Sequence, residues 1–465
     1  MKHALTIAGS DSIAGAGIQQ DMKVFSALGV HGMCALTAVT AQNSRGVYDI
    51  RFMDPLIVEQ QVDVVLSDTG ADAVKTGMLG SPAVIKAVIK KVKEYNLKNL
   101  VVDPVMVSTT GQVLVDVPPD DGIKDYKNKT DDAAPESDDC IFEHFKELIS
   151  LCRICTLNID EAMIFTGRVL NNVQDMQSAA HQVCRWGAEN CIITNEGLDV
   201  LCTACESGDN KAITLRSETL SDIVGFHGTG CTFSAALTAY LAADRGLIDA
   251  VKSAKKITEN SIRYGFKFNS EGLSLLNPFF DIERAVVLSD VNEAVKKITA
   301  NDAISCLCPE VGINVAMALS YAGSIKEVAG VSGRIVNVSG RMKTAGEVVF
   351  GGSSHIGRVV LTAMMHDPEK RGAMNIKFSD NILEICRKLN LEISGFERSD
   401  LPDDNMTMQQ GTSYAIEKKG NVPDIIYDRG GVGKEPMIRI ISESASRACD
   451  IALVIAYEYK KRYDD

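Results

Sequence analysis

The sequence contains little tryptophan, few aromatic residues and no long apolar run. One of its 465 residues is Trp and 6% are aromatic, whereas 45% are hydrophobic, so the core must be built mainly from aliphatic side chains. No apolar run approaches the ~18 residues that a membrane-spanning helix needs, so no membrane partner is expected. Met1, Lys2 and His3 lead directly into a strand-like run rather than a signal peptide, which predicts a cytoplasmic protein.

Basic residues are also scarce, with 48 Lys and Arg against 61 Asp and Glu and a net charge of −13. A nucleic-acid surface needs clustered basic charge, so no nucleic-acid partner is expected. Residues 116–139 contain nine acidic and three basic residues and few large apolar ones. Such a segment buries too little surface to order itself, and we interpret it as a solvated insertion outside the active site.

The 13 cysteines are an odd number scattered along the chain, which favours reduced thiols over a disulfide framework. Cys152 with Cys155, and Cys202 with Cys205, form two CxxC spacings that also occur in zinc sites. Both pairs lie in or beside strand-like runs, where alternate side chains face opposite ways and suit a metal poorly. We therefore do not predict zinc.

A Gly-Thr-Gly-Cys turn at 228–231 opens an apolar helical run. The first N–H groups of a helix lack intrahelical partners and carry the positive end of its dipole, so they suit phosphate oxygens. The same field favours a thiolate at Cys231, which could accept a proton from a substrate hydroxyl. The turn therefore suggests phosphoryl transfer to an alcohol, although a Gly-rich turn with a buried Cys fits the motif equally well.

Strand-like and helix-like runs alternate from residue 1 to about 265. Strands are predicted at 3–8, 31–38, 72–76, 99–103, 153–157 and 190–194. This alternation indicates an α/β fold with a mostly parallel central sheet and helices on both faces. Ligands bind such sheets beyond the carboxyl ends of the strands, where the turn motifs of this sequence fall.

The pattern loosens between 266 and 290, so we expect a first domain over 1–275, a linker over 276–289 and a second α/β domain over 290–465. Helices are predicted in the second domain at 290–300, 312–320, 354–366, 379–389 and 439–461, with strands between them.

Several motifs of the first domain resemble the hydroxymethylpyrimidine and hydroxymethylpyrimidine-phosphate kinases of thiamine biosynthesis, within the ribokinase superfamily. The matching text is TIAGSDS (6–12), AGAGIQQDMKVFSALGVHGM (14–33), TAVTAQNSRGV (37–47), KTGMLGS (75–81), VVDPVMVSTTG (101–111), LNIDEA (157–162) and HGTGCTFSAAL (227–237). The resemblance implies a ribokinase-like three-layer fold, ATP and Mg²⁺ as cofactors, and a homodimer.

The resemblance assigns roles to individual residues. Cys231 would be the catalytic base, and Gly228, Thr229 and Gly230 would form the anion hole and contact the nucleotide. Asn158 and Glu161 would hold Mg²⁺ and its waters, although a helix cap explains the same pair.

Substrate contacts are expected from the first loops and the strand ends. These residues are Gly9, Ala16, Asp21, Val39, Gln42, Met78 and Val105, with Gln42 on the ring edge and Val39, Met78 and Val105 as apolar walls. Asp21 also suits a solvated helix position. Thr194 is expected near the nucleotide. Residues 194–197 are Thr-Asn-Glu-Gly, however, where related kinases usually have a Lys-Gly-Gly or Thr-Gly-Gly stretch, so the nucleotide contacts there stay open.

The second domain resembles the ThiN-type thiamine-phosphate synthase domain. The matching text is PEVGINVAMAL (309–319), GRIV (333–336), VVFGGSSHIGR (348–358), RGAMNIKFSDNIL (371–383) and PDIIYDRGGVGKEPMIRI (423–440). We predict Arg334 and His355 as catalytic anion clamps and Asn375 as a residue that orients a ring. Further anion-binding residues would be Arg341, Arg358, Lys434 and Arg439. Each of these cations could instead be an ordinary surface charge.

The glycine-rich stretch before Lys434 is not a Walker A loop, because Glu435 replaces the required Ser or Thr. The sequence thus predicts a bifunctional enzyme that uses small-molecule substrates. It would phosphorylate the pyrimidine alcohol and its monophosphate, and then join the diphosphate to thiazole phosphate. The alternatives are a pyridoxal-type kinase in front and a rear domain that only senses thiamine phosphate.

Overall fold

The computed structural model describes residues 1–108, 111–115, 141–203, 211–216, 225–266, 272–397, 408–431 and 433–463. They form two compact units, Met1–Phe280 and Asp281–Asp465. The acidic segment 116–139 and Cys205 lie outside the described residues, so the predictions made for them are not tested. None of the described helices is long and apolar enough to cross a bilayer.

The first unit alternates strands and helices, as the sequence predicts. Its strands are β1 (His3–Ser10), β2 (His31–Asn43), β3 (Gly46–Phe52), β4 (Ala73–Thr76), β5 (Leu100–Val102), β6 (Ile154–Asn158), β7 (Asn190–Thr194), β8 (Leu198–Thr203), β9 (Lys211–Arg216), β10 (Phe226–His227) and β11 (Ser274–Leu275). Its helices are α1 (Gly17–Ala27), α2 (Pro55–Asp68), α3 (Pro82–Glu94), α4 (Ile141–Ile149), α5 (Ile159–Thr166), α6 (Val173–Arg185), α7 (Thr229–Ala242) and α8 (Leu247–Arg263).

Within the described residues, β3-β2-β1-β4-β5-β6-β7-β8-β9 form one nine-stranded sheet. Strands β2, β1, β4, β5, β6 and β7 run parallel, and β3, β8 and β9 add antiparallel edges. Alternate residues of β5 enter opposite cores, because Leu100 and Val102 pack with Val88 while Val101 packs with Phe233. The sheet is therefore covered on both faces, and the three-layer prediction is confirmed.

The second unit is also α/β. Its strands are β12 (Val315–Ala318), β13 (Val328–Val331), β14 (Ile335–Val338), β15 (Arg341–Thr344), β16 (Val348–Phe350), β17 (Gly372–Lys377), β18 (Ile393–Phe396), β19 (Ile425–Asp428) and β20 (Met437–Ser442). Its helices are α9 (Phe280–Ala300), α10 (Ser354–His366), α11 (Asp380–Lys388), α12 (Met408–Lys419) and α13 (Ala445–Tyr463), with 3-10 turns at Asp302–Leu307 and Ile325–Glu327.

Seven strands of the second unit's described part form a sheet in the order β16-β13-β12-β17-β20-β19-β18, and β14 pairs with β15 as a separate hairpin. Of the pairs in the seven-stranded sheet, β18 with β19 is parallel and the others are antiparallel. This mixed sheet separates two apolar cores, one packed on α13 and the other on α10.

Two helix predictions in this unit are wrong. Residues 315–318 form the central strand β12 instead of a helix, because a strand buried on both faces is apolar throughout and loses its period-two signal. The helix predicted over 439–461 begins only at Ala445, since the preceding Met437–Ser442 run is the buried strand β20. β-Branched isoleucines at 438, 440 and 441 favour this strand.

The linker prediction also needs correction. Helix α9 covers Phe280–Ala300, so most of the segment 276–289 is helical. The segment reads as a loop because Asn277 and Pro278 interrupt the pattern just before the helix begins, and Pro is a common signal of an element boundary.

Candidate active sites

The Gly-Thr-Gly-Cys turn lies at the start of α7 against the loop that follows β1. Gly228 is the N-cap residue with φ of +88°, and a Cβ there would lie 1.8 Å from the carbonyl oxygen of Gly15. A side chain is therefore sterically excluded. Thr229 and Gly230 are exposed, so the first turn of α7 presents its backbone N–H groups toward solvent, where an anion could bind.

Cys231 lies in the first turn of α7 with a partly exposed side chain. The pKa of its thiol is raised to about 12, mainly by burial of the sulfur and also by Asp21 and Asp103, whereas Lys75 and the Gly17 N–H lower it. This direction is opposite to the expectation that the helix start ionises the thiol. At neutral pH Cys231 is a thiol.

A buried ion pair lies beside that sulfur. Lys75 Nζ donates to both carboxylate oxygens of Asp21, at 2.9 and 2.8 Å, and the Thr6 hydroxyl donates to Asp21 Oδ2 at 2.6 Å. Both side chains of the pair are 0% exposed. The solvated-helix alternative for Asp21 is thus wrong, and Asp21 holds Lys75 instead of presenting a surface to a substrate.

Sequence reasoning missed Lys75, which lies on β4. Nearby Asp21, Cys231 and Asp103 raise the pKa of Lys75 despite the opposing effect of burial, so the side chain stays charged. The sequence did contain a signal for Lys75, because it is a lysine within the short strand Ala-Val-Lys-Thr, whose other residues are small or apolar. A buried lysine in a strand needs a partner, and the partner here is on α1.

Two carboxylates lie close together at the ends of β5 and β6. Asp103 Oδ2 accepts from the Ser234 hydroxyl at 2.7 Å, and Glu161 Oε2 accepts from the Asn158 N–H at 3.0 Å. Burial first, and then Asp103, raises the pKa of Glu161 to about 8. A cation bound between the Asp103 and Glu161 carboxylates would relieve their mutual repulsion. Mg²⁺ prefers oxygen ligands and fits such a site.

Asn158 forms a complete capping box with Glu161, since its Oδ1 accepts from the Glu161 N–H at 2.8 Å. The helix cap that was the alternative interpretation is therefore present in the structure. It uses the only side-chain oxygen of Asn158 but one of the two carboxylate oxygens of Glu161, so Glu161 is the better candidate ligand for Mg²⁺. Asp103 is a second candidate that sequence reasoning missed, although it stands in the quoted VVDPVMV motif. Among the described residues, no cluster of three or more His, Cys, Asp or Glu side chains forms a candidate metal site, but Mg²⁺ needs only one or two carboxylates when it also binds phosphates.

The predicted substrate residues gather around the ends of β1, β2 and β4. Met78 packs in a small apolar cluster with Val105, and its Sδ would lie 3.1 Å from a Cβ on Gly9. Val39 is 46% exposed, so it offers an apolar surface outside that cluster. The Ala16 N–H donates to Asp11 Oδ2 at 2.8 Å, which fixes the loop after β1.

Gln42 lies at the end of β2 beside two residues that sequence reasoning did not select. Its Nε2 lies 2.9 Å from His227 Nε2, and the same His227 nitrogen lies 2.9 Å from Asp11 Oδ2. His227 immediately precedes the Gly-Thr-Gly turn, and its side chain is buried. The ring-edge candidate and the anion-binding turn are thus connected by one imidazole.

The loop after β7 keeps its unusual glutamate away from the protein interior. Thr194 donates its hydroxyl to the Leu157 carbonyl at 3.3 Å, and the Asn195 N–H donates to Asp199 at 3.1 Å. Lys255 also donates to the buried Asp199. Glu196 is exposed, so its charge can remain solvated.

We predict that Cys231 ionises only at alkaline pH. Its alkylation by iodoacetamide should accelerate about tenfold per pH unit between pH 7 and 10, because its pKa is raised to about 12. Lys75→Met removes the nearby cation, so the pKa should rise further and alkylation at a given pH should slow about tenfold. Mass spectrometry of the peptide that contains Cys231 measures the rate separately from the exposed Cys34.

The control for this experiment is Lys90→Met, which removes an exposed lysine paired with Glu59 and should leave the rate unchanged. A rate that already levels off near pH 7 in the wild type would contradict the raised pKa.

In the second unit, cations surround His355 at the start of α10. Burial lowers the pKa of His355 to about 4, and Arg439, Arg334 and Arg358 lower it as well, while Asp428 opposes them. His355 Nε2 is buried and has no hydrogen-bond partner among the residues that the structure describes. Four of the predicted residues therefore come together here, but His355 is neutral at neutral pH and would act as a hydrogen-bonding group rather than as a positive clamp.

Arg334 and Arg439 are held in different ways. Arg334 is exposed with φ of +73°, a left-handed conformation that is uncommon for residues other than glycine, and its Nη1 donates to the Val311 carbonyl at 2.6 Å. Arg439 is 1% exposed and donates to Asp428 Oδ2 at 2.7 Å. Arg334 is accessible to a ligand at the surface, whereas the buried Arg439 contributes its positive charge from the protein interior.

The backbone before α10 is shaped for close approach. A Cβ at Gly352 would lie 2.2 Å from the Gly330 carbonyl oxygen, whereas Gly351, with φ of +78°, has open space beside it. Helix α10 then begins at Ser354. The backbone at Gly351 is therefore open to close approach by a ligand.

The remaining predicted residues of this unit lie elsewhere or have other contacts. Asn375 accepts from the Asn314 N–H at 2.7 Å and donates to the Gly312 carbonyl at 3.0 Å, so its amide supports the backbone before β12. Arg341 is exposed at the start of β15, and Lys434 is exposed before β20. Their roles stay predictions.

Within the glycine-rich stretch, Gly431 and Lys434 form an antiparallel bridge. Glu435, the residue that breaks the Walker pattern, accepts from the N–H groups of Glu310 and Val311 at 2.9 and 3.2 Å. The Glu435 carboxylate therefore stabilises the loop that contains Glu310 and Val311.

We predict that pyrophosphate binding is coupled to protonation of His355. The ligand would offset the three arginine charges, so the pKa of His355 should rise from about 4 and a proton should be taken up on binding. Affinity should then strengthen as pH falls from 7 to 5. Calorimetry in buffers of different ionisation enthalpy measures the uptake. His355→Gln is the matched variant, because it keeps a donor but cannot titrate, and equal uptake in both proteins would contradict the coupling.

The fold and the first site together define a ribokinase-like small-molecule kinase joined to a second α/β domain. Over 60% of the chain and 97% of its counterpart, the structure is similar to the ADP complex of Bacillus subtilis pyridoxal kinase, with a TM-score of 0.50 and 33% identity. It is also similar to pyridoxal kinase from Staphylococcus aureus in complex with pyridoxal, with a TM-score of 0.50 and 31% identity over 60% of this chain and 94% of that one.

Sequence comparison gives the family. The pattern of phosphomethylpyrimidine kinase matches residues 11–130 and 129–275, and that of thiamine-phosphate synthase ThiN matches residues 290–453. The chain is 32% identical over 455 residues to the bifunctional thiamine biosynthesis protein ThiDN of Methanocaldococcus jannaschii, covering 95% of both chains. It is 36% identical to the Bacillus subtilis hydroxymethylpyrimidine/phosphomethylpyrimidine kinase over 56% of this chain and 87% of that protein. The chain therefore belongs to the bifunctional ThiDN family.

Proposed function

We propose that the first unit uses ATP to phosphorylate 4-amino-5-hydroxymethyl-2-methylpyrimidine and then its monophosphate. The second unit joins the resulting diphosphate to thiazole phosphate, giving thiamine phosphate and pyrophosphate. The observation that carries the proposal is the exposed start of α7, with Cys231 in its first turn and Lys75 beside the sulfur. Family membership over the whole chain supports both reactions.

In the kinase reaction the substrate oxygen attacks the terminal phosphorus of ATP, the bond to ADP breaks, and the hydroxyl proton passes to the Cys231 sulfur. A thiolate with a high pKa is scarce, but it is a strong base once formed. Lys75 lowers the cost of that anion, while Asp21 holds Lys75 in place. The N–H groups at the start of α7 would bind the transferred phosphoryl oxygens.

Glu161 and Asp103 would hold Mg²⁺, which neutralises phosphate charge during the transfer. Their raised pKa values follow from burial and are consistent with a site that is completed by a cation.

In the synthase reaction the thiazole nitrogen attacks the methylene carbon of the pyrimidine, and the bond to pyrophosphate breaks. The protein's task is to hold and stabilise the departing anion. Arg334, Arg358 and Arg439 supply positive charge around His355, whose neutral ring can donate or accept one hydrogen bond. We propose that these four residues form the pyrophosphate site.

Two alternatives have direct tests. A pyridoxal-type kinase shares the fold of the first unit, and comparing kcat/KM for pyridoxal and for the pyrimidine alcohol distinguishes them. A sensor in place of the second enzyme would bind thiamine phosphate without turnover. We also propose a cytoplasmic homodimer, and the mass of the purified protein by light scattering tests its assembly.

Single substitutions should separate the two reactions. With the pyrimidine alcohol, thiazole phosphate and ATP, the wild-type protein should produce thiamine phosphate. Cys231→Ala should reduce diphosphate formation at least a hundredfold while the synthase still uses added diphosphate. Arg334→Ala should do the reverse, so that the diphosphate accumulates. Chromatography of the products measures both steps, and near-normal kinase turnover in Cys231→Ala would exclude the thiol as the essential base.

A further inference from the structure

A buried hydrogen-bond network surrounds the Gln42 amide at the end of β2. On one side, His227 Nε2 lies 2.9 Å from Gln42 Nε2 and 2.9 Å from Asp11 Oδ2. On the other side, Thr40 Oγ1 lies 3.3 Å from Gln42 Oε1 and 2.8 Å from the Ser10 carbonyl. His227, Asp11 and Thr40 are 5%, 3% and 5% exposed, so water does not compete for these contacts.

The contact with Asp11 shows whether His227 Nε2 carries a hydrogen. The Asp11 carboxylate accepts from the N–H groups of Ile13, Gly15 and Ala16, at 3.1, 2.9 and 2.8 Å. The His227 hydrogen bond lowers the pKa of Asp11 against the opposing effect of burial, so Asp11 is ionised and can only accept. His227 Nε2 must therefore carry a hydrogen.

The hydrogen on the Thr40 hydroxyl is assigned in the same way. The Ser10 carbonyl can only accept, so the single Thr40 hydrogen is donated to it. The Thr40 oxygen then faces Gln42 with a lone pair. Thr40 therefore favours an N–H from the amide. His227 Nε2 already carries the hydrogen that it donates to Asp11, so an amide oxygen that shares this hydrogen is favoured there over a second N–H donor.

Both requirements select the same orientation of the amide. Exchanging the oxygen and nitrogen of Gln42 barely changes the shape of the side chain, so its orientation is decided by its partners. With Oε1 on His227 and Nε2 on Thr40, the single His227 hydrogen is shared between Asp11 Oδ2 and Gln42 Oε1, and the amide donates to the Thr40 oxygen. The opposite orientation, in which the structure has Nε2 on His227, sets two N–H donors against each other there and also divides the Thr40 hydrogen between two acceptors, so it is the less favourable of the two.

We propose that His227 is a positioning residue that, together with Thr40, fixes the direction of the Gln42 amide and thereby selects a 4-aminopyrimidine over its 4-oxo analogue. The inference deepens the proposed kinase activity and rests on it. The fixed amide keeps one N–H and one oxygen lone pair for the substrate. These match the ring nitrogen and amino group of an aminopyrimidine edge, which are an acceptor and a donor.

The 4-oxo analogue, 5-hydroxymethyl-2-methylpyrimidin-4-one, presents the opposite pattern. Its ring N–H donates and its carbonyl accepts, so it would be bound only if the amide turned over. A site that must leave buried polar groups unpaired rejects such a ligand strongly. The wild-type protein should therefore prefer the amino compound by at least a hundredfold in kcat/KM.

The test is the ratio of kcat/KM for the amino and oxo compounds. His227→Leu frees one end of the amide, and the ratio should fall at least tenfold. His227→Gln can donate to both Asp11 and Gln42, so it should keep most of the ratio. Thr40→Val acts on the other end and should lower the ratio without any change at His227, which covers the case in which His227→Leu fails to fold.

Thr37→Val is the matched control, since Thr37 is a buried threonine of the same strand whose hydroxyl donates to the Met78 carbonyl at 2.6 Å. Its ratio should stay at the wild-type value. A structural role of His227 in the adjoining turn would lower turnover of both compounds equally, and an unchanged ratio in His227→Leu and Thr40→Val would overturn the inference. Failure of the wild-type protein to phosphorylate the aminopyrimidine would instead overturn the proposed kinase function.

Discussion

The kinase site depends on a contact between two backbone segments that admits no side chain. The Gly228 Cα faces the Gly15 carbonyl so closely that a Cβ would overlap the oxygen. This contact joins the loop after β1, which carries Asp11 and Ala16, to the start of α7. This contact fixes the candidate anion-binding N–H groups and the loop proposed to bind the alcohol in one geometry.

Both candidate sites have a buried ion pair beside their titratable residue. Lys75 and Asp21 lie beside Cys231, and Arg439 and Asp428 lie beside His355. A buried charge is tolerated because its partner is hydrogen-bonded to it. In each case the cation acts on the neighbouring group through its field, so it favours negative charge on the sulfur and disfavours positive charge on the imidazole.

Much of the first unit could be predicted from the sequence, because its strands are short, apolar and separated by glycine-rich turns. The start of α7 at Thr229 and the capping box at Asn158 follow from local signals. Lys75 and His227 could not be found in this way. Their importance comes from contacts with Asp21, which is 54 residues from Lys75, and Asp11, which is 216 residues from His227, and no local pattern records such distances.

The second unit was harder to predict for a related reason. Its central strands β12 and β20 are buried on both faces, so their apolar runs carry no period that distinguishes a strand from a helix. The Asn375 side chain shows the same limit at the level of a single residue. An asparagine in a motif that resembles the synthase family suggests ligand binding, whereas its amide is paired with the backbone of Gly312 and Asn314.

The two units use a helix start in similar ways. Helix α7 follows Gly228 and α10 closely follows Gly351, both with positive φ, and each helix carries its titratable residue in the first turn. In both sites burial pushes that residue toward its neutral form, as a thiol at Cys231 and as an uncharged imidazole at His355. The charge that attracts an anion must therefore come from backbone N–H groups and from Lys or Arg. Cys231 and His355 remain free to take up or release a proton, which a permanently charged clamp could not do.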